Sequence, residues 1–434
     1  MLSRYDIQHI LKLIRKEVYS ATGCNEPLMV ALACAKAREV LGQMPEKVSA
    51  RVSGHIIKFA MGVGIPGSGD MVGIQSAMAL GTVAGKTNQG LGVLSDLTEH
   101  DCQKARQMLQ ERQFVVMQER NTFEQIYVDV LATAGEHEAR VIYAKQFTNL
   151  VYVKRDGVHL MDDRSTLATE HDRNHESELT MERIYEFATK CPLDELQFLL
   201  KGARMNKDVA QEAFKPEANY GLNLGKMLKG GFEERMVGQN AMPRVVCYTC
   251  AAIDVRMSGL QVPVMTNSGS GNQGIVATVP VLIFAEETQC TEAKTMRALA
   301  MSHLTNIHMK SLIGKLSAHC SCVLAATGAA AGIAYLMGGE FEEVAAAVKN
   351  QIAGATGMIC DGCKPSCVLK LSSATSSAFQ SAMMAMEHIC VASTDGIIED
   401  DVDKSLENLA SIGRGAMLEV DNVVLNIMAD KTIG

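Results

Sequence analysis

The chain has 434 residues, a length expected for roughly two to three domains with a large buried core. Hydrophobic residues make up 47% of the chain and charged residues 21%, which excludes a largely disordered protein. The net charge of −8 argues against a partner nucleic acid bound through its phosphates.

The cysteine content and the absence of long apolar runs indicate a protein of the cytoplasm. Thirteen cysteines are an odd number in a long chain, which fits reduced thiols better than a disulfide framework. The N-terminus runs into an amphipathic pattern without the apolar segment of a signal peptide. The most apolar stretch, Val323 to Gly338, has about 16 residues and is short for a membrane span. We therefore expect no membrane partner.

The first elements along the chain are two predicted helices. Apolar residues recur at helical spacing from Ile7 to Val18 and predict a helix over residues 5–19. A break at Thr22–Pro27, sequence TGCNEP, precedes the second helix, and Pro27 suits its first turn.

The middle of the chain has a different pattern, which predicts a small α/β domain. Helices are expected near residues 75–84 and 97–111. Short runs rich in β-branched and aromatic residues predict strands at Val48–Val52, Phe114–Gln118, Phe123–Val130, Arg140–Ala144 and Leu150–Val153.

A polar segment from Met161 to Thr180 is the predicted linker, and from Met181 onward the pattern is almost wholly helical. The sequence thus predicts an α+β fold, in which a mainly helical catalytic domain carries a smaller inserted α/β domain. The expected limits are residues 1–44 for N-terminal helices that join the catalytic domain, 45–165 for the α/β domain and 180–434 for the helical domain.

Cysteines cluster in the late part of the chain. Cys360, Cys363 and Cys367 share one glycine-bearing loop, and Cys320 and Cys322 lie before it. A cysteine is often only a small buried hydrophobic residue, but three in eight residues favour a metal site. The pair Cys247 and Cys250 lies over a hundred residues before the pair Cys360 and Cys363, which is unlike a zinc ribbon. Iron–sulfur clusters accept thiolate ligands at loose sequence spacing.

Cys24 is a separate case because it precedes the predicted second helix. The positive end of a helix dipole lowers the pKa of a thiol and increases its thiolate fraction. The alternative is a cysteine that only packs at the start of the helix.

Two glycine-rich loops offer backbone N–H groups that could bind an anion, over residues 62–69 and 267–274. Neither is a P-loop or a dinucleotide-binding loop. The second loop carries five amide and hydroxyl side chains suited to polar recognition, namely Asn267, Ser268, Ser270, Asn272 and Gln273. Lys58, just before the first loop, could bind a carboxylate.

Four of these motifs, in this order, resemble those of the L-cysteine desulfidase family, a UPF0597-like group related to the iron–sulfur L-serine dehydratases. The motifs are TGCNEP at 22–27, Lys58 with MGVGIPG at 61–67, PVMTNSGSGNQG at 263–274 and GMICDG at 357–362. The resemblance spans nearly the whole chain. Cys367 follows Cys360 by seven positions, an interval shorter than in the serine dehydratases, which favours the desulfidase branch.

The resemblance implies a [4Fe-4S] enzyme that converts L-cysteine and water to pyruvate, ammonia and hydrogen sulfide. By position, the implied cluster ligands are Cys320, Cys360 and Cys367, and one iron is left for the substrate. The choice over the neighbouring Cys322 and Cys363 rests on the family pattern.

Elimination from an amino acid without pyridoxal phosphate needs a base and an electron sink. Cys24, as thiolate, is the candidate base, and an open cluster iron is the candidate Lewis acid. Lys58 and the loop at 267–274 would hold the carboxylate and ammonium of a small amino-acid substrate.

Three alternatives stay open at this point. The same mechanism would serve an L-serine dehydratase, a pyridoxal-phosphate desulfhydrase would use another cofactor, and a thiol-rich metal-binding or redox-sensing protein would have no catalytic activity. A homo-oligomer is also left open, since the sequence is silent on the oligomeric state.

Overall fold

Two helices separated by a short strand begin the chain. Helix α1 spans Arg4–Glu17 and is capped by Ser3, whose side chain accepts a hydrogen bond from the backbone N–H of Asp6. Strand β1 spans Ser20–Thr22, and helix α2 spans Asn25–Leu41. The structure is a computed structural model, and it describes residues 2–111, 113–167, 178–229, 240–314 and 318–432.

The next part of the chain forms a mixed six-stranded sheet accompanied by three helices. Its elements are β2 (Lys47–Val52), α3 (Gly54–Ala60), α4 (Gly73–Ala84), α5 (Glu99–Gln110), β3 (Phe114–Gln118), β4 (Tyr127–Ala134), β5 (His137–Ala144), β6 (Leu150–Arg155) and β7 (Val158–Asp162). The strand order is β3-β2-β4-β5-β6-β7. Strands β2 and β3 are parallel, and the other neighbours are antiparallel. Short 3-10 turns cover Thr87–Gly92 and Arg164–Thr166.

The rest of the described chain is helical except for one short strand. Its elements are α6 (Met181–Lys190), α7 (Leu193–Ala213), α8 (Leu224–Met227), α9 (Ala241–Met257), β8 (Pro263–Met265), α10 (Gly271–Glu287), α11 (Glu292–Ile313), α12 (Ser321–Met337), α13 (Phe341–Ala355), α14 (Cys367–Met386), α15 (Val402–Arg414) and α16 (Ala416–Thr432). The predicted α+β class with a mainly helical body is therefore confirmed.

Two large hydrophobic cores hold these elements. The larger core contains the buried residues of α1 and of the late helices, whereas the smaller core contains α2, α4 and one face of the sheet. Helices α2 and α4 touch through their backbones, because a Cβ added at Gly81 would lie 2.2 Å from the carbonyl oxygen of Ala31. The domain limits at 1–44, 45–165 and 180–434 stay a prediction.

Strand β1 pairs with β8 in an antiparallel arrangement, with Ser20 opposite Met265. The pairing continues past the strands, since the N–H of Thr266 bonds to the carbonyl of Tyr19 (2.8 Å) and that of Ser268 to Glu17 (3.0 Å). The start of α2 is thereby held beside the polar loop that follows β8. This contact joins segments nearly 250 residues apart, and it positions the candidate site.

Some predicted elements shift in the structure. The strand expected at Phe123–Val130 lies at Tyr127–Ala134, where β4 pairs with both β2 and β5. Strand β7 occupies the start of the predicted linker, and residues 168–177 of that linker lie outside the described residues. In the part of the chain that the structure describes, no helix combines the length and apolar character needed to cross a membrane.

Candidate active site

A cavity of about 790 Å³ lies where the sheet part meets the helical body. The helical side of its wall comes from the segment between α1 and α2, the loop before α10 and the starts of α12 and α14. The opposite side comes from α3, the 3-10 turn and two loops at residues 125–126 and 145–148. A cavity of this size with convergent polar groups is typical of a small-molecule site.

Cys24 lies on this wall as the residue that begins α2, and it is only 5% exposed. Its Sγ accepts a hydrogen bond from Nη1 of Arg256 at 3.0 Å, while Nη2 of Arg256 donates to the carbonyl of Gly23 at 3.1 Å. Gly23 has a φ of +79°, and an added Cβ would lie 2.7 Å from Cγ of Pro66. The turn into α2 therefore requires glycine next to the thiol.

Two neighbours lower the pKa of the Cys24 thiol. The hydrogen bond from Cys363 has the largest effect, burial opposes it, and the positive guanidinium of Arg256 adds to the lowering. The same contact with Cys24 raises the pKa of Cys363. Of these two thiols, Cys24 is thus the one in which the negative charge is favoured, as a proton acceptor needs.

Arg256 lies near the end of α9 and is packed against the start of α10. It is 8% exposed, and its side chain lies against the first residue of α10, since a Cβ added at Gly271 would sit 2.2 Å from its Nε. Within the described chain, Nε has no hydrogen-bond partner. The guanidinium is therefore directed at Cys24 and Gly23 through its two terminal nitrogens.

Three further thiols line the same cavity. Cys320 precedes α12, Cys360 lies in the loop before α14, and Cys367 is the first residue of α14. The backbone N–H of Cys320 bonds to the carbonyl of Met358 at 3.0 Å, and that of Cys360 bonds to Ala318 at 2.6 Å. These bonds tie the two cysteine loops together. Cys322 and Cys363 line the cavity as well.

Contact and burial raise the pKa of all three cysteines. Contact with Cys322 raises the pKa of Cys320 to about 12, and contact with Cys320 together with burial raises the pKa of Cys360 well above its ordinary value. Burial raises the pKa of Cys367. A bound cation would favour the thiolate form of all three, because coordination replaces the proton.

Two lysine ammonium groups lie near these cysteines, that of Lys58 and that of Lys370. Lys58 is 1% exposed and forms an ion pair with Asp421 of α16. Lys370 forms an ion pair with Asp361. The ammonium of Lys58 favours the thiolate form of Cys360. A thiolate at Cys360 in turn favours the charged form of Lys370. Both ammonium groups therefore lie within electrostatic reach of the Cys360 sulfur.

The cysteines of the wall are spread apart along it. Among the described residues, no group of three or more histidine, cysteine, aspartate or glutamate side chains converges on one point. A cluster differs from a single ion, because each of its thiolates binds a different iron. The donor set is of the kind a cluster takes: three thiols on one cavity wall, close enough to influence one another's pKa.

Four of the five polar loop residues line the cavity: Ser268, Ser270, Asn272 and Gln273. Ser270 caps α10 by accepting a hydrogen bond from the N–H of Gln273 at 3.4 Å. Asn272 is 2% exposed, and among the described residues its carboxamide oxygen has no hydrogen-bond partner. The loop thus presents polar groups at the N-terminal end of a helix, where an anion is favoured.

The other two predicted substrate residues, Asn267 and Lys58, do not line the cavity. Asn267 is fully buried, and its side chain bonds to His303 and Asn306 at 2.9 and 2.7 Å. The ammonium of Lys58 has Asp421 as its partner. Their contact with substrate stays a prediction. In the structure, both side chains bond to other residues of the chain and lie outside the cavity lining.

Sequence reasoning missed several residues of the site. Arg256 carries no motif signal, and its contact with Cys24 spans 232 positions. Asp421 pairs with Lys58 over 363 positions. Glu26 and His55 also line the cavity, and Glu26 could have been singled out because it stands two residues after Cys24.

Comparison with known proteins identifies the family of the chain. The sequence profile of the serine dehydratase alpha chain matches residues 88–426. A UPF0597 protein of Bacteroides thetaiotaomicron is 48% identical over 424 residues, covering 98% of each chain. Similar relatives in Phocaeicola vulgatus and Porphyromonas gingivalis are 46% and 43% identical, covering 99% and 98% of each chain.

The chain belongs to the serine dehydratase alpha chain family, within its UPF0597 group. The predicted relationship to this group and to the serine dehydratases is confirmed. Membership of this family indicates a lyase.

Proposed function

We propose that the protein is an iron–sulfur lyase of the cytoplasm that converts L-cysteine and water into pyruvate, ammonia and hydrogen sulfide. One observation carries the proposal: Cys24, hydrogen-bonded to the guanidinium of Arg256, shares a cavity with Cys320, Cys360 and Cys367. A thiol beside a guanidinium suits a base, and three soft thiol donors on one wall suit the ligands of a cluster. All thirteen cysteines are free thiols, as expected in a reducing compartment.

Cys24 would take the proton from the α-carbon of the substrate. Its thiolate is stabilised by Cys363 and by the guanidinium of Arg256, which also donates to Gly23 and so keeps the sulfur in place. A buried base with a lowered pKa stays deprotonated near neutral pH, where a general base is most effective.

The polar loop would bind the charged end of the substrate. Ser268, Ser270, Asn272 and Gln273 are the candidates for its carboxylate, because they stand at the N-terminal end of α10. The free carboxamide oxygen of Asn272 adds an acceptor for an N–H of the substrate. These contacts would hold the α-proton against Cys24.

Cys320, Cys360 and Cys367 would hold a [4Fe-4S] cluster. When bound, such a cluster supplies an iron with an open position that acts as a Lewis acid toward the leaving group. The buried ammonium group of Lys58 and the partly exposed one of Lys370 would offset part of the negative charge of three thiolates.

L-Serine dehydration is the second candidate, favoured by the match to the serine dehydratase alpha chain. Both reactions remove the α-proton and a β-substituent and end in pyruvate. They differ in the leaving group, which is sulfide in one case and water in the other.

The test is turnover by protein purified without oxygen. Pyruvate and sulfide should form in equal amounts from L-cysteine, with a larger kcat/KM than pyruvate formation from L-serine. A larger kcat/KM for L-serine would establish the second candidate, and no pyruvate from either substrate would refute the elimination chemistry. The Cys390→Ala variant is a matched control, because Cys390 is exposed and does not line the cavity.

A further inference from the structure

The cavity contains a buried carboxylate that the proposed mechanism does not use. Glu26 follows Cys24 by two positions in the first turn of α2, lines the cavity and has a side chain only 15% exposed. The N-terminal end of a helix favours its negative charge. Glu17, at the end of α1, is the other carboxylate on this wall.

Glu26 has no direct partner with a full positive charge. Throughout the described ranges, neither a lysine nor an arginine forms an ion pair with it; Arg256 acts on it only from a longer distance and is itself bonded to Cys24 and Gly23. The one ion-pair contact of Glu26 is with His55, whose Nε2 lies 3.4 Å from Oε1. His55 is itself 13% exposed, and within the described part of the chain its Nδ1 has no hydrogen-bond partner.

His55 contacts Glu26 through one ring nitrogen, Nε2, and so fixes the position of the carboxylate. Glu26 therefore faces the cavity with a histidine ring beside it and without a lysine or arginine in direct contact among the described residues. A carboxylate withdrawn from water is stabilised by a cation in direct contact.

A ligand of the cavity can supply a cation in direct contact with Glu26. Cys24 acts on the hydrogen of the substrate α-carbon, and the ammonium is bonded to that same carbon. The group that binds the ammonium must therefore stand next to Cys24, as Glu26 does. The negative charge of Glu26 opposes ionisation of Cys24, and an ammonium beside Glu26 would cancel that repulsion.

We propose that Glu26, positioned by His55, binds the α-ammonium group of the substrate and restricts the site to α-amino acids. This assignment rests on the proposed function, in which Cys24 takes the α-proton. The site would then reject a carboxylic acid of the same shape that lacks the amino group.

Binding of a matched ligand pair tests the assignment without turnover. L-Alanine has the ammonium and carboxylate but no leaving group, and propanoate lacks only the ammonium. In calorimetry with oxygen-free protein, L-alanine should bind at least about 10-fold more tightly than propanoate, since a hydrogen bond to a charged group contributes that much. Equal affinity for the two ligands would overturn the proposal without any variant.

Three variants test whether Glu26 is the source of the preference for L-alanine over propanoate. Glu26→Gln should weaken L-alanine binding by about 10- to 100-fold and leave propanoate binding unchanged. Glu26→Asp, which keeps the carboxylate on a shorter side chain, should fall between Glu26→Gln and the parent protein. Glu17→Gln is the matched control and should keep the preference for L-alanine. Equal weakening of both ligands by Glu26→Gln, or no weakening of either, would show that Glu26 only stabilises the start of α2.

Turnover of L-cysteine and L-serine by the parent protein separates the two claims. Turnover together with unaltered L-alanine binding in Glu26→Gln would refute only the assignment of Glu26. Loss of L-alanine binding in Glu26→Gln without turnover by the parent protein would support an ammonium site and refute the proposed reaction.

Discussion

Replacing Arg256 with methionine tests how the protein activates Cys24. Methionine keeps an unbranched, buried side chain, but removes the donor 3.0 Å from Sγ and the donor 3.1 Å from the Gly23 carbonyl. A hydrogen bond between a charged donor and its acceptor contributes about 1.5–3 kcal/mol. This energy corresponds to a rise of about 1–2 units in the pKa of Cys24.

The expected change in the pH profile follows from the lowered pKa of Cys24. The thiol has a pKa lowered by Cys363 and by Arg256, and it acts as a base only when deprotonated. Loss of the guanidinium raises the pKa, so the acidic limb of the kcat/KM profile should move up by about 1–2 pH units. At a pH below the new limb the rate should fall by about 10- to 100-fold, and it should recover at higher pH.

The assay is pyruvate formation across the pH range, paired with exchange of the substrate α-proton in deuterated water. Arg244→Met is the matched control: Arg244 lies on the same helix, is half exposed and pairs with Glu287 on the surface. The Arg244→Met variant should leave the acidic limb of the kcat/KM profile at the pH of the parent protein. If Arg256→Met lowered the rate equally at every pH, Arg256 would not act through the ionisation of Cys24.

Three further outcomes follow from the site. Cys24→Ala should keep the cluster absorption and lose about 10²–10⁴-fold in rate, and near-normal α-proton exchange in that variant would identify another base. Alanine at Cys320, Cys360 or Cys367 should abolish iron binding, whereas the Cys363→Ala variant should retain most of its iron. If Cys363→Ala lost as much iron as the other three variants, the ligand assignment would be wrong. Asp421→Asn should lower the free energy of unfolding in urea by about 3–5 kcal/mol, because it leaves the ammonium of Lys58 buried without its charged partner. A change below about 1 kcal/mol would show that this pair is solvated.

Local patterns in the sequence were enough to predict the fold class and the first helix. The apolar repeat from Ile7 to Val18 corresponds to α1, and the break at TGCNEP corresponds to the start of α2. Strand β4 begins four residues later than expected, because pairing with β2 and β5 sets its register. Strand β7 was missed because it lies at the sheet edge, where Val158 and Leu160 are each 61% exposed and no burial pattern develops.

Contacts between distant parts of the chain were beyond the reach of sequence reasoning. Strands β1 and β8 have three residues each, too few to show a periodic pattern, yet their pairing brings Cys24 to the polar loop. Arg256 and Asp421 are single charged residues on helices, and only the fold shows which buried groups they meet. Lys58 appeared suited to a substrate carboxylate, and its partner in the structure is a carboxylate of the chain itself.

The absorption spectrum of protein purified without oxygen, with its iron and sulfide content, is the most direct test of the central claim that the cavity thiols hold an iron–sulfur cluster. We predict broad absorption near about 400 nm, matched by iron and acid-labile sulfide and changed by added L-cysteine. A sharper band that borohydride removes, without iron, would indicate pyridoxal phosphate instead. A colourless protein that still forms pyruvate from L-cysteine would contradict the claim outright.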